Sequence, residues 1–331
     1  MQERARAKQI TISTITPKQR DVKDMALNNN NIRGLVEASI SAIAFGTIPL
    51  FSIPVLNEGI DSLSLLVYRF AFAGVIILLV LIANKRSMHI NRGDAFRIMF
   101  ISLLYAVSAI ALIEGYKYMS SGIATTLLFS YPIWTALLMG IFFKERLKLG
   151  AIISIFLAIG GVVLLSGVLD GNIQTSYKGL FCELLSGFLY ATYMVILPVM
   201  RIRKMSSLKL TFYVFFFTML LISFYSLFAT GGIKGIPSTS AFINLALLGL
   251  VPTAISNITL IMALKKVSST MAAILGAFEP VTAMLVGVLV FSEPFTVPIA
   301  IGLMLIIASV IFLVLSNKKA QEQDKRIEEE A

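Results

Sequence analysis

Residues 131–165 read YPIWTALLMGIFFKERLKLGAIISIFLAIGGVVLL, and residues 279–313 read EPVTAMLVGVLVFSEPFTVPIAIGLMLIIASVIFL. The two stretches align without a gap at an offset of 148 residues, so that Tyr131 falls on Glu279 and each is followed by a proline. Both consist of an apolar run, a polar break and a second apolar run. The chain therefore contains an internal repeat of apolar segments.

The composition is that of a membrane protein. Of the 331 residues, 57% are hydrophobic and only 14% are charged, whereas an ordinary soluble domain is about a quarter charged. The mean hydropathy is +0.86. Apolar runs recur along the chain, each long enough to cross about 30 Å of hydrocarbon as a helix. The alternating segments of a membrane β-barrel do not occur in the sequence. We therefore predict an all-α polytopic membrane protein.

Polar breaks divide the apolar sequence into ten predicted transmembrane helices, which we number spans 1 to 10. They cover residues 34–56, 63–83, 97–116, 122–143, 148–168, 178–200, 208–229, 241–263, 268–291 and 295–316. Residues 1–33 have no apolar core followed by a cleavage site, so we predict a disordered cytoplasmic tail rather than a signal peptide. Residues 317–331 form a second polar tail.

The basic residues predict the orientation of the spans. Only three of the 28 Lys and Arg residues fall in the predicted outer connectors and one, Arg69, falls inside a span, which leaves 24 in the tails and the cytoplasmic connectors. This asymmetry follows the positive-inside rule. It predicts a multi-pass protein of the cytoplasmic (inner) membrane with both termini in the cytoplasm. It also explains the net charge of +10 without a nucleic-acid partner.

The repeat extends to the earlier spans, because Glu37 falls on Glu183 at nearly the same offset. The chain then consists of two units of five spans, residues 34–168 and 178–316. Two copies of a unit with an odd number of spans lie in the bilayer with opposite orientations, related by a pseudo-twofold axis in the membrane plane. Such inverted repeats are typical of secondary transporters, whose substrate site lies near the midplane between the repeats.

The two quoted stretches resemble the EamA-type repeats of the drug/metabolite transporter superfamily. The resemblance rests on a proline within one helix, a glutamate about 13 residues later at the end of that helix (Glu145 or Glu293), and a following helix rich in small residues. It covers residues 34–316. It implies ten helices, cytoplasmic termini and transport of small metabolites, often outward.

The second repeat departs from the first at two positions. Pro298 stands where the first repeat has Gly150, and Val214 stands where it has Arg69 if one residue of slippage is allowed, so that Tyr68-Arg69-Phe70 falls on Tyr213-Val214-Phe215. A role of Arg69 is therefore not duplicated.

Arg69 is a permanent charge within the apolar stretch Leu65–Gly74, LLVYRFAFAG. A charge inside a span is expensive, so it is expected to face a cavity or a partner rather than lipid. We expect Arg69 to form a structural or gating pair with Glu183 in span 6 or with Glu114 in span 3. Direct contact with a substrate, or snorkelling to the outer headgroups, are the alternatives.

Glu279 lies near the middle of span 9 and is expected to face the interior of the bundle. Pro280 removes a backbone donor and frees a carbonyl near Gly276, which loosens the helix at the depth where a substrate site is expected. Glu279 would bind a cationic group of a substrate or carry a coupling proton. A protonated glutamate that only bonds a neighbouring helix is the alternative.

The repeat position of Glu279 is aromatic. Tyr131 is followed one turn later by Trp134, the only tryptophan of the chain. Core packing explains either residue alone, but together with Glu279 they suggest a flat pocket that binds amino acids or planar drugs by stacking and cation–π contacts. Further candidates for the cavity lining are Glu183, Tyr190 and Asn257, although polar residues on these helix faces also serve helix–helix hydrogen bonding.

These features favour a secondary transporter that moves a small metabolite, such as an amino acid, a similar amphipathic compound or a drug, by alternating access. Export is expected from the resemblance alone. A proton is a candidate coupling partner, no cofactor or metal is expected, and the oligomeric state stays open. The alternatives are a lipid or lipid-linked-sugar flippase of similar fold and, with less support, a membrane-embedded enzyme, for which the sequence offers no HExxH or GxSxG motif.

Overall fold

The computed structural model describes residues 17–118, 121–143, 149–165, 177–292, 296–298, 300–309 and 311–312, and every regular element within these ranges is a helix. Seven helical segments in this part of the chain are long and apolar enough to cross a membrane: Asn29–Asn57, Ser62–Ala83, Arg92–Gly115, Tyr177–Val199, Ser207–Ala229, Thr239–Ala263 and Ser269–Val290. Shorter apolar helices occupy the places of spans 4, 5 and 10, namely Tyr131–Phe143, Leu149–Leu165 and Ala300–Ser309. The predicted all-α fold is confirmed.

Polar side chains determine where several spans begin. Asp61 accepts hydrogen bonds from the backbone amides of Leu63 (3.1 Å) and Ser64 (3.0 Å) at the start of span 2. Such a cap satisfies amides that have no partner within the helix. The starts of four later spans are capped in the same way, by Asn91, Ser206, Ser238 and Ser268.

The helix of span 1 begins earlier than the sequence suggested. It runs over Pro17–Phe45, so residues 17–33, predicted to be part of a disordered tail, are helical. The physical reason is local: Pro17 suits the first turn of a helix, and the residues after it include Lys, Gln, Arg, Met, Ala and Leu, which all favour helix. Residues 1–16 and the second tail lie outside the described residues.

Spans 4 and 9 are each broken at equivalent positions of the repeat. Each break lies just before a proline, Pro132 in span 4 and Pro280 in span 9, whose ring removes a backbone donor. The pieces are Ser121–Leu128 and Tyr131–Phe143 in span 4, and Ser269–Leu275 and Phe278–Val290 in span 9. Both repeats therefore bring an irregular piece of backbone to the middle of the bundle.

The two repeats pack reciprocally through spans 5 and 10. A Cβ on Gly161 would lie 2.7 Å from the carbonyl oxygen of Gly302, and the Ser309 hydroxyl donates a 2.8 Å hydrogen bond to the carbonyl oxygen of Ser154. At an offset of 148 residues, Gly161 corresponds to Ser309 and Ser154 corresponds to Gly302. The contact between Gly161 and Gly302 is therefore the repeat equivalent of the contact between Ser309 and Ser154. From the first contact to the second, the chain goes back seven residues in span 5 and forward seven residues in span 10, so the two helices run antiparallel. These contacts are those expected of two units related by a twofold axis perpendicular to the spans.

Basic connectors meet at one end of the bundle, which we call the basic end. The Lys209 ammonium donates to the carbonyl oxygen of His89, which joins the start of span 7 to the connector between spans 2 and 3. Lys265, between spans 8 and 9, donates to the Ser207 hydroxyl at 3.0 Å. Connectors 2–3, 6–7 and 8–9 therefore lie on one face, as the charge asymmetry predicts.

The remaining described connectors meet at the opposite end, which we call the second end. The Tyr68 hydroxyl donates to the carbonyl oxygen of Lys234 at 2.7 Å, and the Ser238 hydroxyl donates to Glu58 at 2.5 Å. A cavity of about 190 Å³ opens here between the ends of spans 2, 3 and 7, lined by residues that include Asp61, Glu114, Lys117 and Thr230.

Candidate functional site

The centre of the bundle holds a hydrogen bond between repeat-related residues. The Tyr131 hydroxyl donates to a carboxylate oxygen of Glu279 at 3.1 Å, and both side chains are buried. Two residues related by a twofold axis contact each other only when they lie near that axis. The Tyr131–Glu279 pair therefore marks the place where the two repeats meet.

A glycine makes room for this pair. A Cβ on Gly276 would lie 1.4 Å from the Tyr131 hydroxyl oxygen, so any side chain at position 276 would displace the tyrosine. Gly276 lies in the break of span 9, where the sequence predicted a loosened helix. The break thus serves to admit a side chain of the other repeat.

Aromatic rings extend from Tyr131 towards span 1. Tyr190 of span 6 packs edge-on against Tyr131, with ring centroids 5.1 Å apart, and stacks on Phe45 at 5.8 Å. Tyr105 of span 3 lies 6.4 Å from Tyr190 and accepts a 2.8 Å hydrogen bond from the Asn257 amide. The predicted candidates Tyr131, Tyr190 and Asn257 therefore belong to one aromatic and polar cluster with Glu279.

A cavity of about 10 Å³ lies within this cluster, next to Arg69, Phe45, Tyr105, Tyr190, Ser108 and Ser186. That volume is about the minimum for one water molecule. This cavity is therefore too small for a metabolite in this conformation, and a larger guest at this place requires the lining residues to move apart.

Arg69 is buried beside the cavity, but it does not form the predicted ion pair. Its Nε donates a 2.6 Å hydrogen bond to the Thr253 hydroxyl, and its guanidinium lies 5.9 Å from the Phe45 ring and 5.5 Å from the Phe70 ring. Cation–π contacts and this hydrogen bond take the place of a carboxylate. Glu114 instead pairs with Lys117 at 2.6 Å.

The partner of Arg69 comes from an irregular segment of span 8. Residues Leu250–Ile255 form a π-helical turn around Pro252, and Thr253 in that turn also donates to the carbonyl oxygen of Leu248 at 2.6 Å. A proline within a membrane helix indicates an irregularity, but not which side chain it presents to a partner. Tyr105 and Phe45 were not among the predicted site residues, because an aromatic residue in an apolar run is typical of core packing.

Two predicted site residues lie elsewhere. Trp134 packs edge-on against Phe188 of span 6 at 5.5 Å and does not line the cavity. Glu183 is buried against Gly115 at the end of span 3, and neither of its carboxylate oxygens has a hydrogen-bond partner among the described residues. Within that part of the chain, no group of three or more His, Cys, Asp and Glu side chains could hold a metal ion.

Ten apolar helices in two repeats, closed around a buried carboxyl, arginine and aromatic cluster, define the class of protein as a polytopic membrane protein with a central polar site. The model of the EamA-like transporter family matches residues 32–167 and 177–315. The chain therefore belongs to the EamA-like transporter family, which is a family of membrane transporters.

Solved structures share the fold. Among 29 matching chains, one described only as a crystal structure of a protein superposes with a TM-score of 0.74 at 15% sequence identity, covering 87% of this chain and 98% of its own. At that identity the likeness concerns the fold alone. No curated protein matches the sequence significantly.

Proposed function

We propose that this protein is a secondary transporter that moves a small amphipathic metabolite, an amino acid or a related compound or drug, across the cytoplasmic membrane by alternating access. The observation that supports this proposal most strongly is the Tyr131–Glu279 hydrogen bond, which joins the two repeats across their axis near a small cavity. A site on the axis is equally far from both faces, so it can open to either one.

The chemistry of the cluster suits a guest with both polar and apolar parts. Glu279 offers a carboxylate to a cationic group, Arg69 offers a guanidinium to an anionic group, and Tyr190 offers a ring face between them. Asn257 adds an amide oxygen that has no partner among the described residues. A guest that fills these positions would replace the Tyr131–Glu279 hydrogen bond, which couples its binding to separation of the repeats.

Glu279 also suits a proton-coupled cycle. A carboxyl group bonded to a single phenol in a buried site can exchange a proton for a cationic guest, so that the two compete for one position. We propose export as the direction and the basic end as the cytoplasmic face, in keeping with the positive-inside rule.

The proposal is tested by transport into vesicles of both orientations, with a panel of amino acids, nucleosides and cationic dyes. At least one compound should accumulate, and Glu279→Gln should reduce its transport at least tenfold because the substituted amide can neither hold a charge nor carry a proton. Glu58→Gln, which changes a carboxylate at the second end, is the matched control. Transport by Glu279→Gln equal to that of the parent at every pH would contradict the proposal.

A further inference from the structure

Two glutamates, Glu37 and the buried Glu183, occupy equivalent positions of the two repeats but have different surroundings. Glu37 of span 1 accepts an ion-pair hydrogen bond from Lys266, in the connector between spans 8 and 9. Its repeat counterpart is Glu183 of span 6. At the offset of 148 residues, the counterpart of Lys266 is Tyr118. Both repeats therefore have a carboxyl group at this position, but among the described residues only the one on Glu37 has a lysine as its partner.

Glu183 nevertheless occupies the equivalent place. It lies against the end of span 3, where a Cβ on Gly115 would be 1.9 Å from its Oε1. The side chain is 0% exposed, and both oxygens are without a hydrogen-bond partner among the described residues. A carboxyl group thus fills the joint between spans 3 and 6 at the second end.

The titratable neighbours of Glu183 do not supply a cation to the joint. Tyr116 and Cys182 interact electrostatically with Glu183, and neither is a cation. Glu114 in the last turn of span 3 is already paired with Lys117. Three other described helices pack on span 6. Ser121–Leu128 contains no titratable side chain, and neither does Ser269–Leu275, which contacts Met194 towards the basic end. The titratable side chain of Tyr131–Phe143 is Tyr131, which is bonded to Glu279.

We propose that Glu183 is a proton-binding site that locks the second end of the bundle. Its neutral acid packs against Gly115 and holds spans 3 and 6 together. When the proton leaves to the water at the second end, the resulting carboxylate has no partner in the joint and must reach water, which separates the two spans. This proposal rests on the proposed function, transport by alternating access. It adds that the pH at the second end controls the opening of that end.

The physical reason is the cost of an unpaired buried charge. An ionised carboxylate without a hydrogen bond or a counter-ion is strongly disfavoured in an apolar site, whereas the neutral acid is tolerated. At the basic end the equivalent joint contains the Glu37–Lys266 ion pair, which needs no proton. The two joints therefore differ in kind: the one at the basic end contains an ion pair, and the one at the second end contains a neutral acid.

The only tryptophan provides a label-free readout. Trp134 packs against Phe188, five residues from Glu183 on the same helix. In proteoliposomes without substrate, raising the pH at the second end from 5.5 to 8.5 should increase acrylamide quenching of Trp134 at least twofold. Glu183→Gln, which stays neutral, should quench equally at both pH values, and Glu183→Asp should restore the pH response.

The only cysteine permits a second readout. In a Cys182→Ala background, Ala109→Cys places a thiol at the central cavity. An impermeant thiol reagent added at the second end should modify it at least tenfold faster at high pH than in the same variant carrying Glu183→Gln, which also corrects for the pH dependence of the thiol itself. Glu37→Gln is the matched control and should leave this pH response intact.

The proposed lock is overturned if the acrylamide quenching of Trp134 still depends on pH in Glu183→Gln, or does not depend on pH in the parent. This result is decisive even if the Ala109→Cys variant fails to insert. Neither readout needs a substrate. A failure here therefore leaves the central site standing, while a failure of the Glu279→Gln test leaves the lock standing.

Discussion

At the centre of the bundle the first repeat presents Tyr131 and Arg69, whereas the second presents Glu279 and, at the position of Arg69, Val214. The backbone is alike at this point, since spans 4 and 9 break at equivalent positions. The two repeats thus share these breaks but differ in the side chains beside them. One half supplies a cation and a phenol, and the other supplies a carboxyl group.

The largest expected effect on stability comes from removing the unduplicated cation. Arg69→Ala leaves the Thr253 hydroxyl without its donor and opens a void among Phe45 and Phe70. We expect a loss of about 3 kcal/mol, the range for a hydrogen bond to a charged group, measured as a lower melting temperature in detergent. Val214→Ala, at the equivalent position, should cost less. An unchanged melting temperature together with an altered substrate profile would mean that Arg69 serves substrate binding alone and does not stabilise the fold.

A smaller loss of stability is expected at the contact between spans 5 and 10. Gly161→Ala places a methyl group 2.7 Å from the carbonyl oxygen of Gly302, whereas Gly160→Ala meets open space. Overpacking of this kind costs about 1–3 kcal/mol. Thermal unfolding should separate the two neighbouring variants, and equal melting temperatures would argue against the reciprocal packing of spans 5 and 10.

The smallest loss of stability is expected when the ion pair at the basic end is removed. Glu37 and Lys266 form an ion pair with side chains 14% and 25% exposed. A double-mutant cycle with Glu37→Gln and Lys266→Met should give a coupling free energy of at most about 1 kcal/mol, reduced further by high salt. A coupling of several kcal/mol would mean that this pair, rather than the packing around it, holds the basic end closed.

Much of this architecture was predictable from the sequence, because membrane helices are long apolar runs and their connectors carry the charge. The repeat offset alone made Tyr131 and Glu279 counterparts, and Pro132 and Pro280 indicated the breaks. The membership of the EamA-like transporter family, expected from the two quoted stretches, is confirmed.

The partners of individual side chains were not predictable in the same way. Arg69 was expected to pair with Glu183 or Glu114, yet its partner Thr253 depends on a π-helical turn that periodicity does not reveal. Trp134 shares a helix with Tyr131 but faces Phe188, because the rotation of a helix is determined by its neighbours. Sequence patterns predict which residues lie in the interior, but not which of these residues contact each other.

The opposite orientation of the two repeats can be measured by labelling Tyr118 and Lys266, which are repeat counterparts in connectors 3–4 and 8–9. In a Cys182→Ala background, each position is changed to cysteine and intact cells are treated with an impermeant maleimide. If the repeats are inverted, Tyr118→Cys is labelled from outside and Lys266→Cys is labelled only after the membrane is opened. Labelling of both positions from the same side would show that the repeats are not inverted.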